Sequence, residues 1–352
     1  MASPPASTWT AAEERYSRQM LFAPLGPEGQ RRLAAARVAI VGCGALGSSQ
    51  ADLLARAGVG QLQLVDRDYV EPSNLQRQAL YDEDDARAGL PKAVAAQRRL
   101  ARINSAVAAE AQVADLTPAN IEALLGGCDL LLDGTDNLET RYLLNDFAVA
   151  QGVPWIYGAA VAASGLTFTI RPGVTACLEC LFPGGAGVEG NLETCDTAGV
   201  LSWTVQWVAA LQVSEAVKLL AGAAGALRDS LYSADLWANQ FREFHRPARD
   251  PDCRACARRD FVHLRGEGRA AITLCGRNAV QIHEHHRPLE LAQLALRLQP
   301  HGLVRANAFA LRFVPSAPAG MELMIFPDGR ALIKGTTDAA VARSLYARYV
   351  GS

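Results

Sequence analysis

The sequence predicts an α/β protein whose larger domain is a Rossmann-like doubly wound sheet, and two stretches carry that prediction. An apolar run (38–41) leads into the glycine turn GCGALG (42–47), and the apolar pattern of a helix (48–57) follows. A second apolar run (61–65) ends on Asp66, near the spacing of about 20 residues expected for an acid that binds a ribose hydroxyl. The glycines permit close backbone approach, and the helix N-terminus offers N–H groups to a phosphate. A glycine turn without a ligand is the alternative, and the agreement of strand, turn, helix and acid argues against it.

Composition and charge exclude several classes of protein. With 352 residues, half of them apolar, the chain is long enough for about two domains. A formal net charge of −2 gives no support for nucleic acid as a partner, and no apolar run approaches the roughly 18 residues of a membrane span. Residues 1–14 lack the basic and apolar regions of a signal peptide, so we expect a flexible start and a cytoplasmic protein.

Two cations that follow Asp66 argue against hydride transfer as the chemistry. Arg77 lies on a polar stretch, and Lys92 opens a helical pattern rich in alanine and arginine. Cations beside a bound nucleotide are useful where negative charge builds up on phosphate, as in attack at an α-phosphate with pyrophosphate leaving. The glycine turn and the two cations together therefore predict a reaction at a phosphorus atom of a bound nucleotide.

An acidic turn follows a later buried-type strand. The run 129–133 precedes DGTDN (133–137), and an acid at the carboxyl end of such a strand can hold Mg²⁺ or orient an attacking carboxylate. Asp133 is expected to brace the turn. The pair Thr117-Pro118 predicts an earlier helix with Thr117 as its N-cap.

These motifs together resemble the E1-like adenylyltransferases, the ThiF/MoeB/HesA superfamily, which activates ubiquitin-like sulfur carrier proteins. The resemblance implies an adenylation domain at 15–256, after a flexible N-terminus (1–14) and before a small α+β domain (257–352). The matching segments occur in the family's order: RYSRQ (15–19), GCGALG (42–47), AGVGQLQLVDRDYVEPSNLQRQ (57–78), GLPK (89–92), DGTDN (133–137), CLECLFP (177–183), CDTAGVL (195–201) and CRAC (253–256).

The resemblance also implies the roles of individual residues. Asp66 holds the ribose of ATP, Asp136 is the catalytic-site acid that supports Mg²⁺, and Arg18 reaches the ATP phosphates of the partner subunit in a homodimer. A surface charge is the alternative for Arg18, and an Asx-turn acid is the alternative for Asp136. Ala45 stands where the family usually has glycine, which matters only if that residue needs a positive φ. The nucleotide-binding set is Gly42, Gly44, Ala45, Gly47, Asp66, Asp68, Ser73, Asn74, Gln76, Arg77, Lys92, Asp136 and Asn137. The catalytic set is Arg18, Arg77, Lys92, Asp136 and Cys195.

Two CxxC pairs predict a metal site. Cys177 with Cys180 and Cys253 with Cys256 are each spaced to place two thiolates on one ion, and four sulfurs are typical of structural zinc. In a chain without an export signal such pairs indicate metal rather than disulfides. A redox CxxC is the alternative, but neither pair opens a thioredoxin-like helix. A closed site of four cysteines stabilises the fold without taking part in the chemistry.

Cys195 requires a separate interpretation. It lies in a stretch rich in glycine and polar residues (184–199), interpreted as a mobile loop over the active site. By resemblance it matches the cysteine that forms a persulfide-linked conjugate with the carrier in the thiamin branch. The equivalent cysteine is dispensable in the molybdopterin branch, so both possibilities stay open.

The last hundred residues predict a second domain. A strand (278–282), a helix (289–298), a β-hairpin turning on residues 327–329 and a closing helix (337–349) follow one another. This unit resembles the extension on longer bacterial members of the thiamin-type branch, and we expect it to dock a carrier or another partner.

The sequence therefore predicts ATP-dependent adenylation of the C-terminal glycine of a sulfur carrier. The acyl-adenylate and pyrophosphate form first, and a donor such as a cysteine desulfurase then supplies sulfur. The resemblance leaves open which carrier is used, from thiamin, molybdopterin or tRNA-thiolation pathways. One alternative is an NAD(P)-dependent oxidoreductase on the same glycine turn, which leaves Arg77, Lys92 and DGTDN without a role. A second is a catalytically idle scaffold that binds a carrier.

Overall fold

The structure, a computed structural model, describes residues 10–185, 197–245, 247–267, 273–274, 279–282 and 288–351. It divides into two compact units, Met1–Glu267 and Gly268–Ser352. The first unit extends past the boundary expected after Cys256, because Phe261 and Leu264 pack against its hydrophobic core. Within the described ranges, no helix is both long and apolar enough to cross a membrane.

The first unit contains one mixed sheet with helices on both faces. Its strands are β1 (Arg37–Val41), β2 (Gln61–Asp66), β3 (Ala108–Val113), β4 (Leu130–Asp133), β5 (Trp155–Val161), β6 (Ser164–Ile170), β7 (Ser230–Asp235) and β8 (Gln240–His245). Its helices are α1 (Ala11–Glu14), α2 (Ser17–Met20), α3 (Gly26–Ala35), α4 (Ala45–Ala57), α5 (Glu83–Ala88), α6 (Lys92–Ile103), α7 (Ile121–Leu125), α8 (Leu138–Gln151), α9 (Leu178–Leu181) and α10 (Ser202–Leu220). The strand order is β3-β2-β1-β4-β5-β6-β7-β8. Strands β1 to β5 pair in parallel, whereas β5 to β8 pair antiparallel.

Strand β1 shows why the sheet is wound on both sides. Val38 and Ile40 pack into a core that includes side chains of α3, α4, α6 and α10. Ala39 and Val41 point the other way, into a core shared with α7 and α8. A parallel strand covered on both faces requires an uninterrupted apolar run rather than an alternating one. The predicted Rossmann-like fold class is therefore confirmed.

The helix predicted to start at Thr117 starts later, so the prediction of Thr117 as its N-cap is wrong. Helix α7 begins at Ile121, and Asn120 precedes it. The Thr117 N–H donates to Asn120 Oδ1 at 2.7 Å, and the Thr117 carbonyl accepts N–H groups from Asn120 at 3.1 Å and Ile121 at 3.0 Å. Residues 118–120 therefore form a turn before the helix, and Asn120 rather than Thr117 precedes its first residue.

The second unit is an antiparallel sheet with two helices, which confirms the predicted α+β class. Its strands are β9 (Thr273–Leu274), β10 (Ala279–Ile282), β11 (Gly302–Ala306), β12 (Leu311–Pro315), β13 (Glu322–Ile325) and β14 (Ala331–Lys334), and its helices are α11 (Leu291–Leu298) and α12 (Ala339–Tyr349). The strand order is β11-β12-β13-β14-β10-β9. Phe313 and Ile333 of the sheet pack with Leu294 of α11 and Leu345 of α12. Asp338 caps α12 by accepting two backbone N–H groups.

Candidate active site

The candidate site lies where the strand order of the first sheet reverses. Chain order runs outward from β1 through β2 to β3 on one side, and from β4 to β5 on the other. In open parallel sheets, ligands bind in the crevice beyond the carboxyl ends of the strands at such a switch point. Gly42 follows β1 and Gly134 follows β4, so the two glycine-containing turns meet at this crevice.

Two glycines of the turn, Gly42 and Gly47, lie so close to backbone atoms that a side chain is excluded at both positions. Gly42 has φ +86°, and its N–H donates to the Val65 carbonyl at 2.8 Å. A Cβ on Gly47 would lie 1.8 Å from the Gly42 carbonyl oxygen, and one on Gly42 would lie 2.5 Å from the Gly134 oxygen. Ala45 is the first residue of α4 and is not among the residues with positive φ, so alanine is accepted there without strain.

Asp66 is held at the end of β2 by backbone donors. Its carboxylate accepts the Cys43 N–H and the Asp68 N–H, each at 2.6 Å. Burial raises the pKa of Asp66, and this outweighs the opposing attraction of the Lys92 ammonium. Each carboxylate oxygen has two lone pairs, so these bonds leave capacity for a hydroxyl donor.

Lys92 is brought next to Asp68, although the two positions are 24 apart in the chain. Its Nζ lies 3.2 Å from Asp68 Oδ2, and its backbone N–H donates to the Asp68 carbonyl at 2.8 Å. The Lys92 residue is 3% exposed. A buried ammonium of this kind is a strong local positive charge, because little water screens it.

The segment between Asp68 and Lys92 passes over the glycine turn. Ala79 N–H donates to Ser48 Oγ at 3.2 Å, and Tyr81 Oη donates to the Cys43 carbonyl at 2.6 Å. Asn74 is buried, and its Oδ1 accepts the Glu71 N–H at 3.1 Å. The remaining predicted residues of this segment are more exposed. Arg77 is half-buried, and its Nη1 donates to the Ser73 carbonyl at 2.8 Å. Ser73 and Gln76 are exposed.

A buried ion pair stabilises the turn after β4. Asp133 Oδ1 accepts from the Thr135 N–H at 2.9 Å and the Thr135 hydroxyl at 2.7 Å. Its Oδ2 accepts from Arg141 Nε at 2.9 Å. Asp133 thus braces the turn, as the sequence predicts, while Asp136 beyond it is exposed. Asn137 is the N-cap of α8 and accepts the Thr140 N–H at 2.9 Å.

Arg141 was not predicted as a site residue, yet it joins three parts of the crevice. Besides Asp133, its Nη2 donates to the carbonyls of Thr135 at 2.7 Å and Gly158 at 3.0 Å. Burial alone would lower the pKa of Arg141, but the Asp133 carboxylate outweighs it and raises the pKa above its ordinary value. A lone arginine within an apolar helix was the signal in the sequence, since such a residue needs a buried partner.

Arg18 lies far from the glycine turn of its own chain. It is exposed on α2, where the neighbouring Gln19 donates to the carbonyl of Ala57, the last residue of α4, at 3.0 Å. The glycine turn is at the opposite end of α4, and a helix of 13 residues is about 20 Å long. Arg18 therefore does not belong to the group that its own chain brings together.

The four cysteines of the CxxC pairs form one cluster. Cys177 Sγ lies 3.8 Å from Cys180 Sγ and 3.6 Å from Cys253 Sγ, and Cys180 Sγ lies 3.4 Å from Cys256 Sγ. All four sulfurs are within 4.8 Å of one another. Tetrahedral zinc with Zn–S of about 2.3 Å places neighbouring sulfurs about 3.8 Å apart, so this donor set fits a zinc ion.

Helix α8 connects the cysteine cluster to the crevice. Asn145 Oδ1 accepts the Leu178 N–H at 2.8 Å, and Asp146 Oδ2 accepts the His263 N–H at 3.0 Å. Arg254, inside the second CxxC, pairs with Glu179, inside the first, at 2.9 Å. Asp146 Oδ2 also lies 3.8 Å from Arg254 Nη1, so the helix that begins at the acidic turn contacts both cysteine pairs.

Cys195 and most of its loop lie outside the described residues. The structure describes the loop (184–199) only up to residue 185 and again from residue 197. The expected role of Cys195 therefore stays a prediction.

The fold and the site together define a class: nucleotide-binding α/β proteins with a Rossmann-like crevice and a separate four-cysteine cluster. Residues 16–255 match the ThiF family. The chain is 46% identical over 345 residues to the sulfur carrier protein ThiS adenylyltransferase of Bacillus subtilis, covering 96% of this chain and 99% of that protein. It is 39% identical over 254 residues to the sulfur carrier protein adenylyltransferase of Thermus thermophilus, covering 70% and 92%.

A solved structure shares the fold. The crystal structure of E. coli MccB superposes with a TM-score of 0.61 at 23% identity, covering 72% of this chain and 74% of that chain. The chain belongs to the ThiF family, and the resemblance drawn from the sequence motifs is confirmed.

Proposed function

We propose that the chain adenylates the C-terminal glycine carboxylate of a ubiquitin-like sulfur carrier protein, with ATP as the other substrate. The observation that supports this most is the meeting, at one switch point, of a closed glycine turn, Asp66, and the buried cation of Lys92. Relatives similar over most of their length are named for this activity. A nicotinamide oxidoreductase has no use for a buried ammonium at the phosphate end of its crevice.

The proposed reaction is attack on the α-phosphorus. A carboxylate oxygen of the carrier forms a bond to the α-phosphorus, the bond to the bridging oxygen breaks, and pyrophosphate leaves with that electron pair. Asp66 accepts hydrogen bonds from the ribose, and Lys92, Arg77 and Asn74 stabilise charge on the phosphates. Lys92 is already positioned by its bond to Asp68, so little rearrangement is needed when charge develops.

The acidic turn would hold Mg²⁺. Asp136 is an exposed carboxylate at the carboxyl end of β4, and carboxylate oxygens are the ligands that Mg²⁺ prefers. When bound, the ion supplies positive charge to the phosphate oxygens. Arg141 and Asp133 keep this turn in place from the buried side, so the position of Asp136 depends on them.

Arg18 would act on the site of a second subunit. Its position at the far end of α4 keeps it from the glycine turn of its own chain. A homodimer in which each subunit presents Arg18 to its partner's phosphates gives this exposed cation a role. The supporting test is complementation, because a mixed dimer of Arg18→Ala and Lys92→Ala subunits contains one intact site.

The carrier would dock beside the antiparallel end of the sheet. Strands β5 to β8 line a cavity of about 330 Å³, and its lining residues include Ala159 of β5 and Arg242 of β8. Ala159 follows Gly158, whose carbonyl Arg141 holds at the acidic turn. Trp237 is 76% exposed at the turn between β7 and β8, which supports docking of an apolar protein surface there.

The cysteine cluster would hold zinc as a structural ion. A closed set of four sulfurs leaves no open position for substrate.

After adenylation, a sulfur donor such as a cysteine desulfurase completes the pathway, and Cys195 is the thiol placed in that later step. The described cysteines form no disulfide with one another, which supports a reducing, cytoplasmic setting.

Exchange of labelled pyrophosphate into ATP tests the proposal. The wild-type chain is expected to catalyse exchange only when a carrier ending in Gly-Gly is present. Lys92→Ala should abolish exchange, whereas Arg31→Ala, at an exposed arginine paired with Glu28 on α3, should leave it unchanged. Carrier-dependent exchange at the wild-type rate in Lys92→Ala would contradict the assignment, and tight binding of a reduced nicotinamide without exchange would favour the oxidoreductase.

A further inference from the structure

One buried side chain at the candidate site has an unsatisfied amide. Gln78 is 4% exposed, and its Oε1 is buried without a hydrogen-bond partner among the described residues. Its Nε2 lies 3.9 Å from the point that a Cβ on Gly44 would occupy. The amide nitrogen therefore faces the one glycine of the turn whose Cβ position is otherwise open. The buried unpartnered atom is the acceptor Oε1, whereas Nε2 donates to none of the described residues and so keeps its N–H groups for a ligand at the turn.

Hydrogen bonds made by neighbouring residues hold the segment that carries Gln78 against the glycine turn. Ala79 is bonded to Ser48, and Tyr81 is bonded to the carbonyl of Cys43, so both sides of the glycine turn are tied to the segment that carries Gln78. The Gln78 N–H donates to the Asn74 carbonyl at 3.0 Å. An amide held this way without bonds of its own is arranged in advance for a ligand.

Gly44 is the N-cap of α4, and the first N–H groups of a helix attract anions. A neutral amide adds a donor there without adding a further cation to Lys92 and Arg77. Gln78 therefore complements the helix N-terminus without the repulsion that another lysine or arginine would introduce.

We propose that Gln78 Nε2 donates a hydrogen bond to a phosphate oxygen of ATP that lies over Gly44. Gln78 is then a further substrate-contacting residue, and this inference rests on the proposed use of ATP. The phosphate accepts one N–H from Gln78 in addition to those of the α4 N-terminus.

Equilibrium binding of ATP and of adenosine to the full-length chain tests the assignment. Gln78→Ala should weaken ATP binding by about tenfold to hundredfold, the loss expected for a hydrogen bond to a charged group. Adenosine, which has no phosphate, should bind as it does to the wild type. Gln78→Glu should weaken ATP further, since a carboxylate repels phosphate. Gln78→Met keeps the volume without the donor and replaces the alanine variant if that one does not fold.

Gln63 provides the matched control. It is also 4% exposed with an unpartnered Oε1, but it lies within β2 and not at the glycine turn. Gln63→Ala should leave the ratio of ATP to adenosine affinity unchanged. Unchanged ATP binding in the Gln78 variants, or equal weakening of ATP and adenosine, would overturn the proposal. A wild-type chain that binds ATP but catalyses no exchange refutes the proposed function alone, whereas one that binds no ATP refutes both.

Discussion

Replacing Arg141 with leucine tests how the acidic turn is supported. The Asp133 carboxylate is fully buried, and Arg141 is its charged partner at 2.9 Å. In Arg141→Leu the carboxylate keeps the two Thr135 donors and the longer bond from the Gly158 N–H at 3.4 Å, and the carbonyl of Gly158 loses a donor. Breaking a buried pair from one side costs about 3–5 kcal/mol, since it leaves an uncompensated charge. We therefore expect the free energy of unfolding to fall by that amount.

Urea unfolding at neutral pH measures this loss, with Arg87→Leu as the control. Arg87 pairs with Asp84 at the surface, where the two side chains are 72% and 84% exposed. An exposed pair contributes about 0–1 kcal/mol, so the control should stay close to the wild type. Adding Asp133→Asn to Arg141→Leu should restore part of the stability, because the amide carries no charge. If Arg141→Leu is no less stable than Arg87→Leu, the argument from the buried pair is refuted.

Three further predictions follow from the packing, the cysteines and the buried acids. Gly47→Ala should weaken ATP binding, measured by calorimetry, by about tenfold or more, because its Cβ would lie 1.8 Å from a backbone oxygen. Gly225→Ala is the control, because its Cβ meets open space, and its ATP affinity should equal that of the wild type. Cys180→Ser should remove bound zinc, as measured by elemental analysis. It should also lower the melting temperature, because metal binding contributes to folding. Cys128 lies outside the cluster, so Cys128→Ser should keep the zinc. Burial raises the pKa of Asp146 from 3.8 to about 6, so the folded chain binds this proton more tightly than the unfolded chain does. Stability from this group should therefore fall by about 3 kcal/mol as pH rises from about 4 to about 6, and Asp146→Asn should remove that slope in urea unfolding at each pH. The glycine and cysteine predictions are refuted if the variant and its control give the same result. The Asp146 prediction is refuted if Asp146→Asn shows the same pH dependence of stability as the wild type.

The elements nearest the glycine turn were predictable because their signals are local. Apolar runs, glycines and the acid at the end of β2 lie within one short stretch, and their order alone specifies strand, turn and helix. The cysteine cluster was also predictable, because two CxxC pairs carry a spacing that metal chemistry explains. These features need no knowledge of which distant segments meet.

Features that depend on distant partners were not predictable. Arg141 and Gln78 read as single polar residues in their segments, and only the fold shows that one supports the acidic turn and the other faces Gly44. The start of α7 was predicted wrongly, because residues 118–120 form a turn and the helix begins only at Ile121. The extent of the first unit depends on Phe261, which packs against a core formed mainly by residues far earlier in the chain.

Transfer of label from ATP to a carrier protein tests the central claim most directly. The wild-type chain, ATP labelled at the α-phosphate, magnesium and a carrier ending in Gly-Gly are mixed without any sulfur donor. The account predicts that the label becomes attached to the carrier through an acyl-phosphate bond that hydroxylamine cleaves, and that removal of the terminal glycine prevents it. A carrier that stays unlabelled while the chain binds ATP would contradict the account.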